Sequence, residues 1–501
     1  MFGILHFLRF VNMENNNSNA AIKIIGGVLI LVAIAFAVMQ LRGKDDGLVT
    51  NTTSPTRIPA PPVVVLPACT ESLVVPNTDV IYYVATNEPG ADNQRCDGLS
   101  PTNEGNNRCP FKDFTSPSVR EKLFLTPDGN FGTKSVTVKV RKGTYFIHPL
   151  RLFPKEPLQP LMINANGQSD RESVILMNYN GEKAVLDGSC PTSFSTCNYP
   201  DAPGKIWTLL EIYGSNVIVQ GLTFDNAYGR NIQIGSANTH IRCNKLIGSY
   251  SSDSDSIKAA SDEGPVYIYG NEFSGPNEQA IDGTKAHDWI IENNTVRDGG
   301  GFGFKFGARN VLIRNNRFTS LNLKLKRATI ALGADGSSNH ANEYEAYDIR
   351  AEGNIFDGVN YAVAFGHCYN CTFSNNSVTR AEVGVHFGEE HPNHPDGCRN
   401  GQGCLASTNV KIFNNRFRDI RYPEANLNNV FIAADPARVL TLEAGNNLYC
   451  LPAGGEPIFW RGGIVPQDLI RDFAVWQQKS QTDQNSQIRE ASDPKCTVWN
   501  D

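Results

Sequence analysis

One phrase recurs along this chain: a short apolar strand, then Asn, then any residue, then an apolar residue. It reads WIIENNTV at Trp289–Val296, VLIRNNRF at Val311–Phe318, CTFSNNSV at Cys371–Val378 and KIFNNRF at Lys411–Phe417. Weaker copies are IRCNKL, YIYGNEF and IRAEGNIF. With the second Asn or its equivalent as a ruler, the marks fall at Leu222, Asn244, Asn271, Asn294, Asn316, Asn354, Asn376 and Asn415. The steps are 22, 27, 23, 22, 38, 22 and 39 residues. A basal step of 22 with insertions is a solenoid signature. Solenoids grow by repetition, so 501 residues need not mean several domains. The strands alternate apolar and polar residues and favour β-branched side chains, which predicts coils of strands. Asn at the turn tolerates left-handed backbone, and its amide can reach the Asn of the next coil. The sequons at Asn293, Asn370 and Asn375 are therefore read as structural ahead of glycosylated.

A second strand precedes each Asn strand. It reads LLEIYG (209–214), IQIG (232–235), SIKAA (256–260), AIDG (280–283), GFKFG (303–307), TIALG (329–333), AVAFG (362–366), GVHFG (384–388) and VFIAA (430–434). Alternation turns Phe304 and Phe306, Ile330 and Leu332, and Val385 and Phe387 inward. The residues between them form an outward column: Glu211, Gln233, Lys258, Asp282, Lys305, Ala331, Ala364, His386. A bulge near Gly283 would shift the middle of that column by a residue. In both long steps the extra residues, about 335–347 and 389–409, follow this strand, so they are expected to wall one side of a groove suited to an extended polymer. The predicted fold is all-β: a single-stranded right-handed parallel β-helix over residues 68–450, with 451–501 as a capping segment.

The cysteines bear on location. There are 12, and close spacings such as Cys96/Cys109, Cys190/Cys197 and Cys398/Cys404 favour disulfides and an oxidising, extracytoplasmic compartment. Residues 1–44 agree: Ile24 to Leu41 is 18 residues without a charge, long enough as a helix to cross most of a bilayer (roughly 27 Å). It reads as a transmembrane signal-anchor or as a cleaved signal peptide, since Ala35-Phe36-Ala37 fits a cleavage site. Residues 45–67 form a Pro/Thr-rich tether. A net charge of −6 leaves no footprint for nucleic acid. The expected state is a monomer.

Four further segments carry a family resemblance. YYVATNEPGAD at Tyr82–Asp92 resembles the opening strand of secreted pectate-lyase-like β-helix proteins. VRKGTY at Val140–Tyr145 and NGEKAVLDGS at Asn180–Ser189 resemble their first coils, and FAVWQQKSQTDQNS at Phe473–Ser486 their closing segment. The resemblance implies the fold and not one activity, because the superfamily holds polysaccharide lyases, hydrolases and epimerases. Chondroitinase-B-like and alginate-lyase-like members carry a Lys base near the end of one groove strand, an Arg on the next coil and calcium-binding acids upstream. IDGTKAH puts Lys285 in the Lys position, and GFKFG puts Lys305 where Arg is expected. Glu278 matches one acid, and Ala280 replaces the other. Lys for Arg loses a bidentate fork.

The candidate chemistry is β-elimination from a uronate. A base takes the proton next to the carboxylate, and cations stabilise the enolate. Lys285, Lys305 and His386 are the catalytic candidates. Lys258, Arg309, Arg327, His287 and His367 are candidates for binding an acidic polysaccharide. Asp253, Asp255, Glu278 and Asp282, with Asp262 nearby, offer oxygens for calcium. A solvated row of lysines and ligand-free acidic loops are the plain alternatives. Asp282, Glu211, Asp335, Glu343 and Glu389 leave glycoside hydrolysis open. His367, Cys368, Cys371, His391, His394, Cys398 and Cys404 are read as disulfides and loop residues, with a zinc site as the alternative. The expected function is a polysaccharide lyase on an acidic glycan. The competing readings are a non-catalytic glycan-binding or adhesion protein and a hydrolase of the same fold.

Overall fold

The computed structural model describes residues 69, 78–125, 132–147, 160–167, 173–189, 198–199, 202–203, 205–248, 251, 254–259, 262–276, 278–319, 328–333, 344–388, 405–422, 427–434, 441–461 and 469–497. The apolar N-terminal segment and the tether lie outside them. So do Cys190, Cys197, Asp253, Arg327, Asp335, Glu343, Glu389, His391, His394, Cys398, Cys404 and most of the two insertions. Among the described residues no helix is long and apolar enough to cross a membrane.

Leu66–Asp501 is one compact unit wound as a parallel β-helix. The described strands make three twelve-stranded sheets, and successive coils visit them in the same order. The first sheet runs from Val80–Val84 to Leu442–Gly445, and the second from Gly143–Phe146 to Gln487–Glu490. The third, which carries the predicted groove, runs from Leu161–Ile163 to Leu469–Ile470. Pairing along it is parallel except for the last strand.

The recurring phrase explains the first two sheets. Its apolar strand pairs in register along the first sheet, for example Ile268↔Ile291↔Ile313. Its closing apolar residue builds a column in the second: Phe224, Leu246, Phe273, Val296, Phe318, Phe356, Val378, Phe417, Tyr449. These side chains are solvent-free, and burying each contributes about 1.5–3 kcal/mol.

The Asn residues form one continuous ladder. Each Nδ2 donates to the Oδ1 of the next: Asn244 to Asn271 (3.2 Å), Asn271 to Asn294 (3.0 Å), Asn294 to Asn316 (2.9 Å) and Asn316 to Asn354 (3.0 Å). It continues from Asn354 to Asn376 (3.1 Å), Asn376 to Asn415 (3.0 Å) and Asn415 to Asn447 (3.1 Å). The ladder thus runs one coil past the last mark of the ruler. Its end is closed by Asp483, which accepts from Asn447 Nδ2 (3.2 Å), Tyr449 Oη (2.8 Å) and Trp476 Nε1 (3.1 Å). The closing segment therefore terminates the stack chemically. Two jobs read as one in the sequence are divided between neighbours. Ladder Asn residues hydrogen-bond, while the residue before each takes the left-handed backbone: Cys243 (φ 57°), Asn293 (56°), Asn315 (55°), Asn375 (57°), Asn414 (58°), Asn446 (55°), or glycine at 270 and 353. The sequon residues Asn293, Asn370 and Asn375 are exposed turn residues with positive φ and stand outside the ladder.

Disulfides join Cys96–Cys109, Cys69–Cys243, Cys368–Cys371 and Cys450–Cys496, as in an oxidising compartment. The first matches the close spacing in the sequence. The Cys368–Cys371 bond overturns the zinc alternative for these two residues, because neither sulfur is free to bind a metal.

Candidate functional site

The third sheet departs from strict alternation, and this shapes its outer face. Two consecutive residues turn inward on many rungs: Leu209 and Leu210, Ala280 and Ile281, Ala362 and Val363, Phe431 and Ile432 all belong to the core. The residues on either side of each doublet then share the outer face. Two outward columns result, three residues apart on each strand. One is Thr208, Arg230, Asp255, Gln279; the other is Glu211, Gln233, Lys258, Asp282. The second is the column expected from the sequence, and at its far end Ala331, Ala364 and His386 are also in register. The first column was missed by period-two reading. The apolar doublets were its visible signal.

Lys305 is the correction within this column. Asp282 pairs with Gly303, and Lys305 lies two residues further on, beside Thr284. The cause is steric. Phe302 and Phe304 fill the core, whereas Phe306 (φ 58°) has left the strand. A Cβ on Gly283 would meet the Phe304 ring at 2.4 Å, and one on Gly303 would meet the Gln279 amide nitrogen at 2.4 Å. Two glycines facing two large neighbours lock this register.

Lys305 still reaches the cluster. Lys258 Nζ lies 2.7 Å from Asp282 Oδ2 and 3.1 Å from Asp255 Oδ2, and Lys305 Nζ lies 3.7 Å from Asp282 Oδ2. Thr284 Oγ1 donates to Asp282 Oδ1 at 2.9 Å. The carboxylates are sealed, with 1% and 3% of the Asp255 and Asp282 side chains exposed. The ammonium groups lie above them, with 19% of Lys258 and 14% of Lys305 exposed. Burial, then the Asp282 charge, pushes Asp255 up to about 7 against the pull of Lys258. Burial also opposes the charge of Asp282, but Lys305 and Lys258 outweigh it and hold that carboxyl below its ordinary value. Lys258 is raised: burial works against its charge, and Asp282 and Asp255 overcome it. A ligand on this face therefore meets two fixed cations.

The polar floor continues toward the N-terminal coils. Arg230 Nη1 donates to Gln233 Oε1 (2.5 Å), Gln233 Nε2 donates to Tyr213 Oη (3.0 Å), and the Arg230 guanidinium stands 5.8 Å from the Trp207 ring centre. Burial raises Glu211, with Arg230 and Tyr213 opposing. Toward the C-terminal coils the same face is apolar. Ala328, Ala331, Tyr361, Ala364, Val383 and Ala433 belong to a separate cluster in which no residue is more than 8% exposed.

The remaining candidates disperse. Lys285 is an exposed turn residue (φ 58°) whose backbone N–H donates to the Lys305 carbonyl at 3.0 Å. His386 holds its predicted position, its ring stacked on Tyr361 at 5.0 Å within the apolar half. His367 is 3% exposed, away from solvent. His287 and Arg309 gather at the next corner around Asp262, at 3.6 and 3.1 Å. Of the calcium candidates, Glu278 carries charge that acts on Asp255. Asp255 and Asp282 already share the Lys258 ammonium, which supplies the positive charge between them. Among the described residues no three His, Cys, Asp or Glu side chains converge as a metal requires.

Neither a family model nor a curated protein matches this chain. Solved structures do. A pectate lyase shares 15% identity at a TM-score of 0.42, covering 69% of this chain and 77% of its own. The A-module of a mannuronan C-5 epimerase from Azotobacter vinelandii shares 14% at 0.40, covering 70% and 89%. An endo-xylogalacturonan hydrolase from Aspergillus tubingensis shares 12% at 0.43, covering 78% and 97%. Nothing about reaction or substrate passes from these neighbours to this chain.

Proposed function

We propose that this chain is an extracytoplasmic, carbohydrate-active protein that takes an acidic polysaccharide along the polar rungs of its third sheet and cleaves it by β-elimination. The observation behind this reading is the pair of half-buried ammonium groups, Lys258 and Lys305, held over one buried carboxylate. Cations anchored from below keep their positions when a uronate carboxylate arrives, and they need not be reorganised as enolate charge develops. In this reading Lys258 and Lys305 neutralise the uronate. Lys285, at the exposed end of the neighbouring strand, takes the proton α to the carboxylate. Those electrons form the carbon–carbon double bond as the β carbon–oxygen bond breaks, and the leaving sugar oxygen takes up a proton.

A second reading has its own observation. Asp255 and Asp282 are neighbouring carboxylates on adjacent rungs with proton affinities pushed apart, as an acid and a base require, and a sugar would reach them only with the ammonium groups of Lys258 and Lys305 moved aside. That pattern fits hydrolysis. One assay separates the two on polygalacturonate, alginate and chondroitin sulfate, following unsaturated-uronate absorbance and reducing ends together. Elimination raises both, and hydrolysis raises reducing ends alone. No product from any acidic glycan sinks both readings and leaves a binding protein.

A further inference from the structure

The outer face of the third sheet changes character part-way along, and this bears on how a polymer can lie on it. From Glu211 to Lys305 the outward side chains are polar, and Glu211, Gln233, Lys258 and Lys305 all retain contact with solvent. On the two rungs beyond Lys305 the face is sealed. Ala331 is 4% exposed and Ala364 0%, with Ala328 and Tyr361 beside them at 4% and 8%; His386, the next residue of the column, regains contact with solvent, its ring stacked on Tyr361. Register is unbroken across the junction, with Gly303 paired to Ala331 and Ala331 to Ala364. The boundary therefore lies in side chains, at the rung after the cation pair.

A polysaccharide passing through would have to contact both stretches. Over the polar rungs its hydroxyl and carboxylate groups find partners. Over the next two rungs the described outward side chains are closed to solvent and offer its polar groups no accessible partner. We propose that the groove accepts the end of an acidic glycan and not an internal stretch. The terminal sugar lies at Lys305 and Lys258, and the rest of the chain runs back over Gln233 and Glu211 toward the N-terminal coils. This rests on the acidic-glycan reading above and adds the recognition of a chain end to it.

The test is a binding stoichiometry that needs no catalysis. Polygalacturonate and alginate are each prepared at fixed mass in a series of decreasing mean chain length, and the saturating amount of full-length protein bound per unit mass is measured. An end-binder's capacity rises in inverse proportion to chain length. Capacity that stays level with chain length overturns the proposal and leaves the acidic-glycan reading standing. No binding to either glycan at any length overturns both. Where product forms, a second arm follows its size: the proposal expects short products of one size from the first time points, and an early ladder of mixed long fragments overturns it. A Lys258→Met, Lys305→Met double variant loses capacity across the whole series. If it retains capacity, the bound end lies elsewhere and the placement at the cation pair is wrong.

Discussion

The two halves of the third sheet's outer face share one backbone and differ in what they do with it. On the rungs from Thr208–Ile212 to Phe302–Lys305, outward positions carry Arg, Gln, Lys, Asp and Glu in contact with one another. From Ala328–Leu332 onward the same positions carry mainly Ala, Val and Tyr closed to solvent, with His386 the partly exposed exception. Strand pairing and core packing continue through the junction. A solenoid thus separates scaffold from surface: the inward columns must repeat for coils to stack, and the outward columns are free to diverge. Polar rungs are costly, because buried charges contribute only when paired. Apolar rungs stabilise and offer a ligand nothing.

Four substitutions test this contrast, from largest effect to smallest. Asp282→Ala leaves Lys258 and Lys305 facing each other without their shared carboxylate. It should cost about 3–5 kcal/mol in urea unfolding and abolish glycan binding; wild-type stability would mean that these rungs are not held by ions. Tyr361→Ala, in the apolar half, should cost about 3 kcal/mol by emptying a buried aromatic site while leaving affinity for acidic glycans unchanged. If affinity falls as well, the halves are not independent. Asn316→Ala removes one ladder member below both halves and should cost about 1–3 kcal/mol by orphaning its partners, again with binding intact. Lys285→Ala, on an exposed turn, should change stability by no more than about 0.5 kcal/mol and remove elimination activity; retained activity assigns the proton acceptor elsewhere.

The halves should also differ in their response to pH. Asp255 has a raised folded value of about 7. It stabilises as the neutral acid, fully below the ordinary carboxylate value, and that contribution is lost as pH rises through about 7. Asp282, held low, contributes above its ordinary value and loses that contribution as pH falls through its folded value. Asp255→Asn should therefore flatten the decline in stability between weakly acidic and neutral pH, read from thermal melts. Affinity for an anionic glycan should weaken as Asp255 gains its charge. Tyr361→Ala should alter neither slope.

Much of this was legible in the chain. The Asn phrase, the columns it implies and the outward positions of Glu211, Gln233, Lys258, Asp282, Ala331, Ala364 and His386 follow from local spacing and match the pairing. The ladder's end at Asp483 was not legible, because a capping acid carries no periodic mark. Nor was the outward face of Arg230, Asp255 and Gln279, since strict alternation turns them inward.

By itself, then, the sequence determined that strands would coil, how long a coil is and which residues fill most of the core. Those depend on side-chain volume and polarity repeated along one strand. The tertiary structure alone decided where Lys305 falls, which cysteines join, and that one lysine serves two carboxylates. Each of these is settled between coils: Gly283 against Phe304, Gln279 over Gly303, Cys69 beside Cys243 across 174 residues. Fit between residues far apart in the chain depends on how the coils stack, and no single strand carries that information.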